Sequence, residues 1–321
     1  MSKLDLNKFG AHFINEEFEL LYKTTSKDFQ NLLGLNEFQN ICHSYKQGIQ
    51  KLEKFSEKEW FGTTQVIWID QNKEKAIQLA YDPRQVITGF YLKPFITYDS
   101  DKRRTKNQYR MPIRDEWFVF WGGTNEFDNY HYAYENQRYA YDLVRVINGV
   151  TYEGTNLINE NYFAFGKDIV APLNGKVVEV VDGIKDNVPG KMNEQYPAGN
   201  YIVIEHSNKE NSMIAHFKNG SILVKEGEHV KEGQLLGLCG NSGNSSEAHI
   251  HFQVMDCPQF EKAKSIRIQF QNHLEPVQGD TVTSWPLDDN KMDTFDKIEN
   301  SLTFTDIVLT IPKIIGQYFK G

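Results

Sequence analysis

Two histidines one residue apart, His249 and His251, are the residues of this sequence best placed for chemistry. They lie in the run AHIHFQV, whose composition predicts a β-strand. Because strand side chains alternate between faces, both imidazoles point to one side while Ala248, Ile250 and Phe252 face a core. Two imidazoles that project side by side are candidates for a metal or catalytic site, although a pair of solvated histidines gives the same pattern.

A carboxylate on an apolar strand face is the second candidate. Asp142, in the run RYAYDLVRV, shares a face with Ala140 and Val144. An ionised carboxylate in such a place is costly unless it is paired or bound to a metal. Asp142 therefore needs a cation, and either a metal ion or an ion pair with Arg138 or Arg145 would provide it.

The other histidines carry weaker signals. His216 lies in the strand-like run SMIAHF, where a lone histidine is more often packed or on the surface than catalytic. No H-E-x-x-H run occurs, so a helical zinc site with a glutamate base is not indicated. Five further histidines are interpreted as structural: His12, His43, His206, His229 and His273.

The elements that must position these residues are short strands. From Glu116 onward, β-branched and aromatic runs such as EWFVFWGG, GKVVEVVDG and GNYIVIEH alternate with polar turns. A glycine-punctuated stretch, VKEGEHVKEGQLLGLCGNSGN, then leads into AHIHFQVMD. This half of the chain is predicted to form a mainly β domain.

The N-terminal part has a different pattern. Over residues 15–55 the apolar residues recur at helical spacing, with Ser26 and Asn36 placed as N-caps. Three strand-like runs follow over residues 65–92, which predicts a small α+β domain. The polar run TYDSDKRRTKNQYR suits an exposed connection. We predict an α+β domain over residues 1–100, a β domain over residues 101–275 and a C-terminal extension over residues 276–321.

Composition excludes several classes of protein. The 321 residues carry a formal charge of -8 and no basic stripe, so nucleic acid is not expected as the main partner. Cys42, Cys239 and Cys257 lie far apart, which indicates neither a disulfide framework nor a thiolate zinc site. No run reaches the roughly 18 apolar residues of a membrane span. The first residues lack the pattern of a signal peptide.

Residues 199–254 resemble the core of the lysostaphin-type (LytM-like) zinc endopeptidases. The resemblance is carried by IAHF in place of a Y-x-H-L element, by the turn VKEGEHVKEGQLLG, by the loop GNSG and by the final H-x-H. It extends over about residues 110–275 and implies an antiparallel β peptidase domain. The N-terminal domain, with its GFYLKPF ending, resembles the cystatin-like domains of unknown function found in front of such peptidases.

The resemblance implies roles for three histidines and one aspartate. The second histidine of H-x-H is a metal ligand in that family, which implies His251 as a ligand and His249 as a catalytic histidine. The histidine of the Y-x-H-L element is its partner, which implies a catalytic role for His216. The aspartate ligand normally stands in an H-x-x-x-D motif, and Asp142 is the candidate for it.

The sequence departs from that motif, because Arg138 stands four residues before Asp142. A guanidinium has no lone pair with which to coordinate zinc. His131, in the upstream N-Y-H, is the only histidine nearby. The resemblance to bacterial members with an N-Q-R-[YF]-A-[YF]-D run implies that His131 supplies the first ligand.

The expected function is then hydrolysis of cross-links or stem peptides in bacterial peptidoglycan, outside the cytoplasm, with one Zn²⁺ per chain. Arg138 motivates an alternative, a catalytically inactive peptidase fold that binds cell-wall peptide or activates another hydrolase. A third hypothesis is a carrier domain of the biotinyl or sugar phosphotransferase type, since GKVVEVV and VKEGEHVKEGQLLG also occur in such folds.

Overall fold

Four short helices and a four-stranded antiparallel sheet make up the N-terminal part of the molecule. The computed structural model describes residues 4–284. The helices are α1 (Phe9–Ile14), α2 (Phe18–Lys23), α3 (Lys27–Leu32) and α4 (Leu35–Lys46). The strands, which pair in sequence order, are β1 (Leu52–Trp60), β2 (Thr63–Asp70), β3 (Lys75–Tyr81) and β4 (Ile87–Pro94).

Strand β2 is buried on both faces. Val66 and Trp68 pack with the helices, in a core that includes Phe9, Phe13, Phe18 and Phe38. Ile67 and Ile69 point to the opposite face, where they join Ala76, Phe95 and Phe127 in a separate apolar cluster. Phe127 lies far downstream in the sequence, so the second face of this sheet is covered by a segment from the β-rich part of the chain.

The remaining strands form one large sheet and two small ones. They are β5 (Arg104–Tyr109), β6 (Glu116–Trp121), β7 (Tyr141–Val144), β8 (Asp168–Val170), β9 (Gly175–Val181), β10 (Asn200–Glu205), β11 (Asn211–Phe217), β12 (His229–Val230), β13 (Leu235–Leu238), β14 (Ile250–Met255), β15 (Arg267–Phe270) and β16 (Thr281–Thr283). Eight of them pair antiparallel in the order β12-β9-β10-β11-β14-β7-β6-β16. Strand β13 pairs with β8 antiparallel, and β15 pairs with β5 in parallel.

Period-two alternation places the core of the large sheet on one face. On β14, Ile250, Phe252 and Val254 are fully buried in the main apolar cluster, as predicted. His251 and Gln253 therefore project from the opposite face. The predicted fold class is confirmed: an α+β N-terminal part precedes a mainly antiparallel β part.

The charged run over residues 97–110 does not form a loose connection. It contains β5, in which Thr105 and Tyr109 are buried, and the parallel pairing with β15 ties it to the β-rich part. The predicted domain limits at residues 100 and 275 stay predictions, and most of the predicted C-terminal extension, from residue 285 on, lies outside the described residues. Among residues 4–284, no helix is long and apolar enough to cross a membrane.

Candidate metal centre and catalytic histidines

Asp142 and His251 are cross-strand neighbours. Strands β7 and β14 pair so that Asp142 lies directly opposite His251. Oδ1 of Asp142 is 3.0 Å from Nδ1 of His251, and both residues are buried. The sheet register therefore brings together two residues that are separated by more than 100 positions in sequence.

His131 completes a group of three. It lies in a single 3-10 turn, Tyr130–Ala133, in the segment that joins β6 to β7. Nε2 of His131 is 3.0 Å from Oδ2 of Asp142. One atom from each of His131, Asp142 and His251 can be chosen so that all three lie within 4.8 Å of one another. The structure thus gathers the three residues that the sequence singled out as ligands, although their roles stay proposals.

Arg138 does not take part in this group. Its guanidinium carbon lies 3.4 Å from the centre of the Tyr98 ring, and its Nε donates a hydrogen bond to the backbone oxygen of Tyr132 at 3.0 Å. Arg145, the other arginine considered as a partner of Asp142, faces Asp115 instead. Among the described residues, Asp142 forms no ion pair with either arginine, and the partners in its ion pairs are His131, His249 and His251.

The charge states within the group suit a cation. Burial opposes ionisation of Asp142, but the imidazole of His131 holds the pKa of its carboxyl well below the ordinary value. Burial lowers the pKa of His131, which Asp142 only partly offsets. A carboxylate next to a neutral imidazole offers lone pairs and one negative charge, the donor set that Zn²⁺ prefers.

The hydrogen bond of Gln253 shows why a metal fits here. Nε2 of Gln253 donates to the backbone oxygen of Asn136, so its Oε1 is the atom 2.9 Å from Nε2 of His251. Nε2 of His251 therefore carries the hydrogen, and in the neutral ring Nδ1 is a bare lone pair. Two acceptors, Nδ1 of His251 and Oδ1 of Asp142, then face each other at 3.0 Å. A cation between them would relieve this contact.

The tautomer of His249 is fixed by the backbone. Its Nδ1 is 2.9 Å from the carbonyl oxygen of Glu247, which can only accept, so Nδ1 carries the hydrogen. Ser245 Oγ lies 3.0 Å from the same nitrogen. Nε2, which then carries the lone pair, lies 3.9 Å from Oδ1 of Asp142. His249 presents a basic nitrogen to the space beside the group of three.

His216 reaches the same space through a β-bulge. The β10–β11 register shifts so that Asn200 pairs with Phe217 and Tyr201 pairs with Ala215, which leaves His216 without a partner in the register. Its φ of 69° is uncommon for a residue with a side chain. The bulge brings its ring to 4.6 Å from that of His249, and its Nδ1 is 2.8 Å from the carbonyl oxygen of Ser242. Burial lowers the pKa of His216 well below the ordinary value, and His249 adds to this effect.

Residues 160–266 match the sequence profile of peptidase family M23. The chain carries an M23 domain. That range includes His216, His249 and His251, whereas His131 and Asp142 lie before its start.

Individual relatives match the M23 region over a short stretch. Peptidoglycan DD-endopeptidase ShyA of Vibrio cholerae is 37% identical over 90 residues, which is 28% of this chain and 20% of that protein. Murein hydrolase activator NlpD of Escherichia coli is 32% identical over 89 residues, with the same shares. The chain therefore spans about a fifth of the length of the curated relatives it matches. A zinc-containing peptidase from Vibrio cholerae superposes with a TM-score of 0.28 at 18% identity, over 72% of this chain and 63% of that one.

The sequence analysis missed two residues that contact the candidate site histidines, Gln253 and Ser245. Gln253 could have been found, since H-x-H-x-Q places it on the same strand face as both histidines. Ser245, which contacts His249, carried no signal because loop contacts depend on the conformation of the loop.

Proposed function

We propose that the protein is a zinc-dependent endopeptidase that hydrolyses peptide bonds in bacterial peptidoglycan outside the cytoplasm. The observation that carries the proposal is that Nε2 of His131, the carboxylate of Asp142 and Nδ1 of His251 lie close together. The rings of His216 and His249 lie beside this group. His131, Asp142 and His251 would hold one Zn²⁺, and three protein ligands leave room for a water, as in catalytic zinc sites.

The chemistry divides between the ion and the chain. Zinc, when bound, supplies a Lewis acid that polarises the scissile carbonyl and activates water. His249 and His216 each hold their Nδ1 hydrogen on a backbone carbonyl, which leaves Nε2 free to accept a proton. One of them would take the proton of the attacking water, and the imidazolium so formed would stabilise the oxyanion and pass that proton to the leaving amine.

The alternative function is an inactive peptidase fold that binds cell-wall peptide or activates another hydrolase. Arg138, at the place of a ligand in the family motif, motivates it. The contact of 3.0 Å between His131 and Asp142 favours the enzyme, because it supplies a third donor from another position.

Digestion of purified muropeptides separates the two. The zinc-loaded protein is incubated with muropeptides of several cross-link types, and the products are identified by mass spectrometry. We expect one cross-link or stem-peptide bond to be cut by the protein and to stay intact with His251→Ala. Muropeptides that all stay intact, although the protein binds them, would favour the inactive fold.

A further inference from the structure

The segment that carries His131 lies outside regular structure. Between the end of β6 at Trp121 and the start of β7 at Tyr141, the chain forms turns and a single 3-10 turn. No ladder of sheet hydrogen bonds fixes this stretch, so contacts made by its side chains must place His131. We call residues 122–133 the ligand loop.

An aromatic side chain anchors the ligand loop in the N-terminal sheet. Phe127 is buried and packs with Ile67, Ile69 and Phe95 on the sheet face that the helices do not cover. Residues of β2 and of the stretch after β4 thus form the socket for a side chain only four positions before His131. Removing such a buried ring leaves a cavity and loosens what it anchors.

An ion pair anchors the next position. Lys58 of β1 and Asp128 of the ligand loop form a salt bridge in which the side chains are only 13% and 5% exposed. Burial lowers the pKa of Lys58, and Asp128 opposes that shift. Breaking a buried pair by removing one partner leaves an uncompensated charge, which is strongly destabilising. Asp128 also accepts a hydrogen bond from Asn125 at 2.7 Å.

The neighbouring strands are held together as well. The ring of Trp60, at the end of β1, lies 5.4 Å from that of Phe118 and 5.1 Å from that of Phe120. Both phenylalanines belong to β6, the strand from which the ligand loop leaves. The loop and its starting strand therefore both contact strands of the N-terminal sheet, β1 through Lys58 and Trp60 and β2 through Ile67 and Ile69.

Asn129 links the anchored residues of the ligand loop to His131. Its Oδ1 accepts a hydrogen bond from the backbone nitrogen of His131 at 3.1 Å. Its Nδ2 donates to the backbone oxygen of Ala140 at 3.0 Å, at the entry to β7, where Asp142 lies. The path from the N-terminal sheet to His131 thus runs through consecutive residues, Phe127, Asp128 and Asn129.

We propose that the N-terminal sheet positions His131 to bind the metal. Lys58 and the socket of Phe127 hold the ligand loop in the conformation that this role requires. The proposal rests on the proposed function, in which His131 is a zinc ligand. The N-terminal part of the chain would then support the metal site without contributing a ligand or a catalytic residue.

The test measures zinc affinity of the full chain by competition with a chromophoric chelator. Lys58→Met and Phe127→Ala should each weaken zinc binding about 10- to 100-fold, the range found when groups that orient a ligand are lost. Lys58→Arg keeps the ion pair and should restore most of the affinity. Lys54→Met is the matched control, because Lys54 lies on the same strand but pairs with Glu57 within β1. Its affinity should equal that of the wild type.

A double-mutant cycle separates positioning from general loss of structure. In a His131→Ala background, Lys58→Met and Phe127→Ala should not weaken zinc binding further, since the ligand they position is already gone. An equal loss in both backgrounds, or wild-type affinity in both single variants, would overturn the proposal. If the His131→Ala variant binds zinc as tightly as the wild type does, the ligand role of His131 itself is refuted.

Discussion

Asp142 on β7 and His251 on β14 stand opposite each other in the sheet, with Oδ1 and Nδ1 3.0 Å apart. This relationship follows from strand register, because a slip of one residue would turn Asp142 into the apolar core. Leu143 and Ile250, the next pair along the same ladder, are fully buried on the other face. The apolar core thus fixes the register, and the register fixes two of the three proposed ligands.

Replacing His249 should separate catalysis from metal binding. His249→Ala removes the proton acceptor beside the proposed metal but none of the three ligand atoms. Hydrolysis should fall by about 10²- to 10⁴-fold, the usual contribution of a positioned acid or base, while zinc content stays near one per chain. Muropeptide turnover and metal analysis measure the two effects. His229→Ala, at an exposed histidine, is the control, and comparable turnover by both variants would contradict the role of His249.

Replacing Gln253 should weaken zinc binding without removing a ligand. Oε1 of Gln253 holds the hydrogen on Nε2 of His251, so that Nδ1 keeps its lone pair for the metal. Gln253→Leu should lower zinc affinity about 10- to 100-fold. Chelator competition measures the affinity. Gln259→Leu changes an exposed glutamine of the loop after β14 and should bind zinc as the wild type does. Unchanged affinity in Gln253→Leu would mean that this hydrogen bond does not orient His251.

Glu247 should make stability depend on pH. Burial raises the pKa of its carboxyl to about 7, Oε2 contacts Thr151, and Oε1 has no hydrogen-bond partner. A carboxyl whose pKa is raised on folding stabilises the folded protein most below its unfolded pKa, near 4.5. This stabilisation is lost as the pH rises from there through about 7.

The variant Glu247→Gln tests this dependence, because an amide stays neutral at every pH. Its stability should match that of the wild type near pH 4.5 and exceed it at pH 8 by at most roughly 3.5 kcal/mol, at about 1.4 kcal/mol per pKa unit. Urea unfolding at the two pH values gives the difference. Glu153→Gln, at an exposed glutamate of the facing loop, should show no such change. A constant difference between wild type and Glu247→Gln would refute a raised pKa.

Much of the β-rich part was predictable because its signals are local. Alternation placed His249 and His251 opposite a core of Ile250 and Phe252, and both phenylalanine and isoleucine are fully buried. Ser26 was also predicted correctly as an N-cap, since its side chain accepts from the backbone nitrogen of Phe29. These predictions depend only on the period of a strand or on the first turn of a helix.

Other features depend on contacts that a local pattern does not contain. Strand β1 was missed because most of its side chains are exposed or half-buried, so no apolar alternation marks it. Asn36 was predicted as an N-cap, but it lies inside α4, which begins at Leu35. The N-cap residue is Gly34. The position of His216 depends on a bulge in β11, which only the pairing with β10 reveals. The position of His131 depends on the conformation of the ligand loop. Its ligand role was predicted from the family resemblance, because no periodic pattern indicates it.

The central claim is that His131, Asp142 and His251 bind one zinc ion. The most direct test is an anomalous difference map, recorded at the zinc absorption edge from crystals of the zinc-loaded full chain. We expect one strong peak about 2.0–2.2 Å from Nε2 of His131, from an oxygen of Asp142 and from Nδ1 of His251. A peak bound by other residues, or one that His131 does not approach, would contradict the claim.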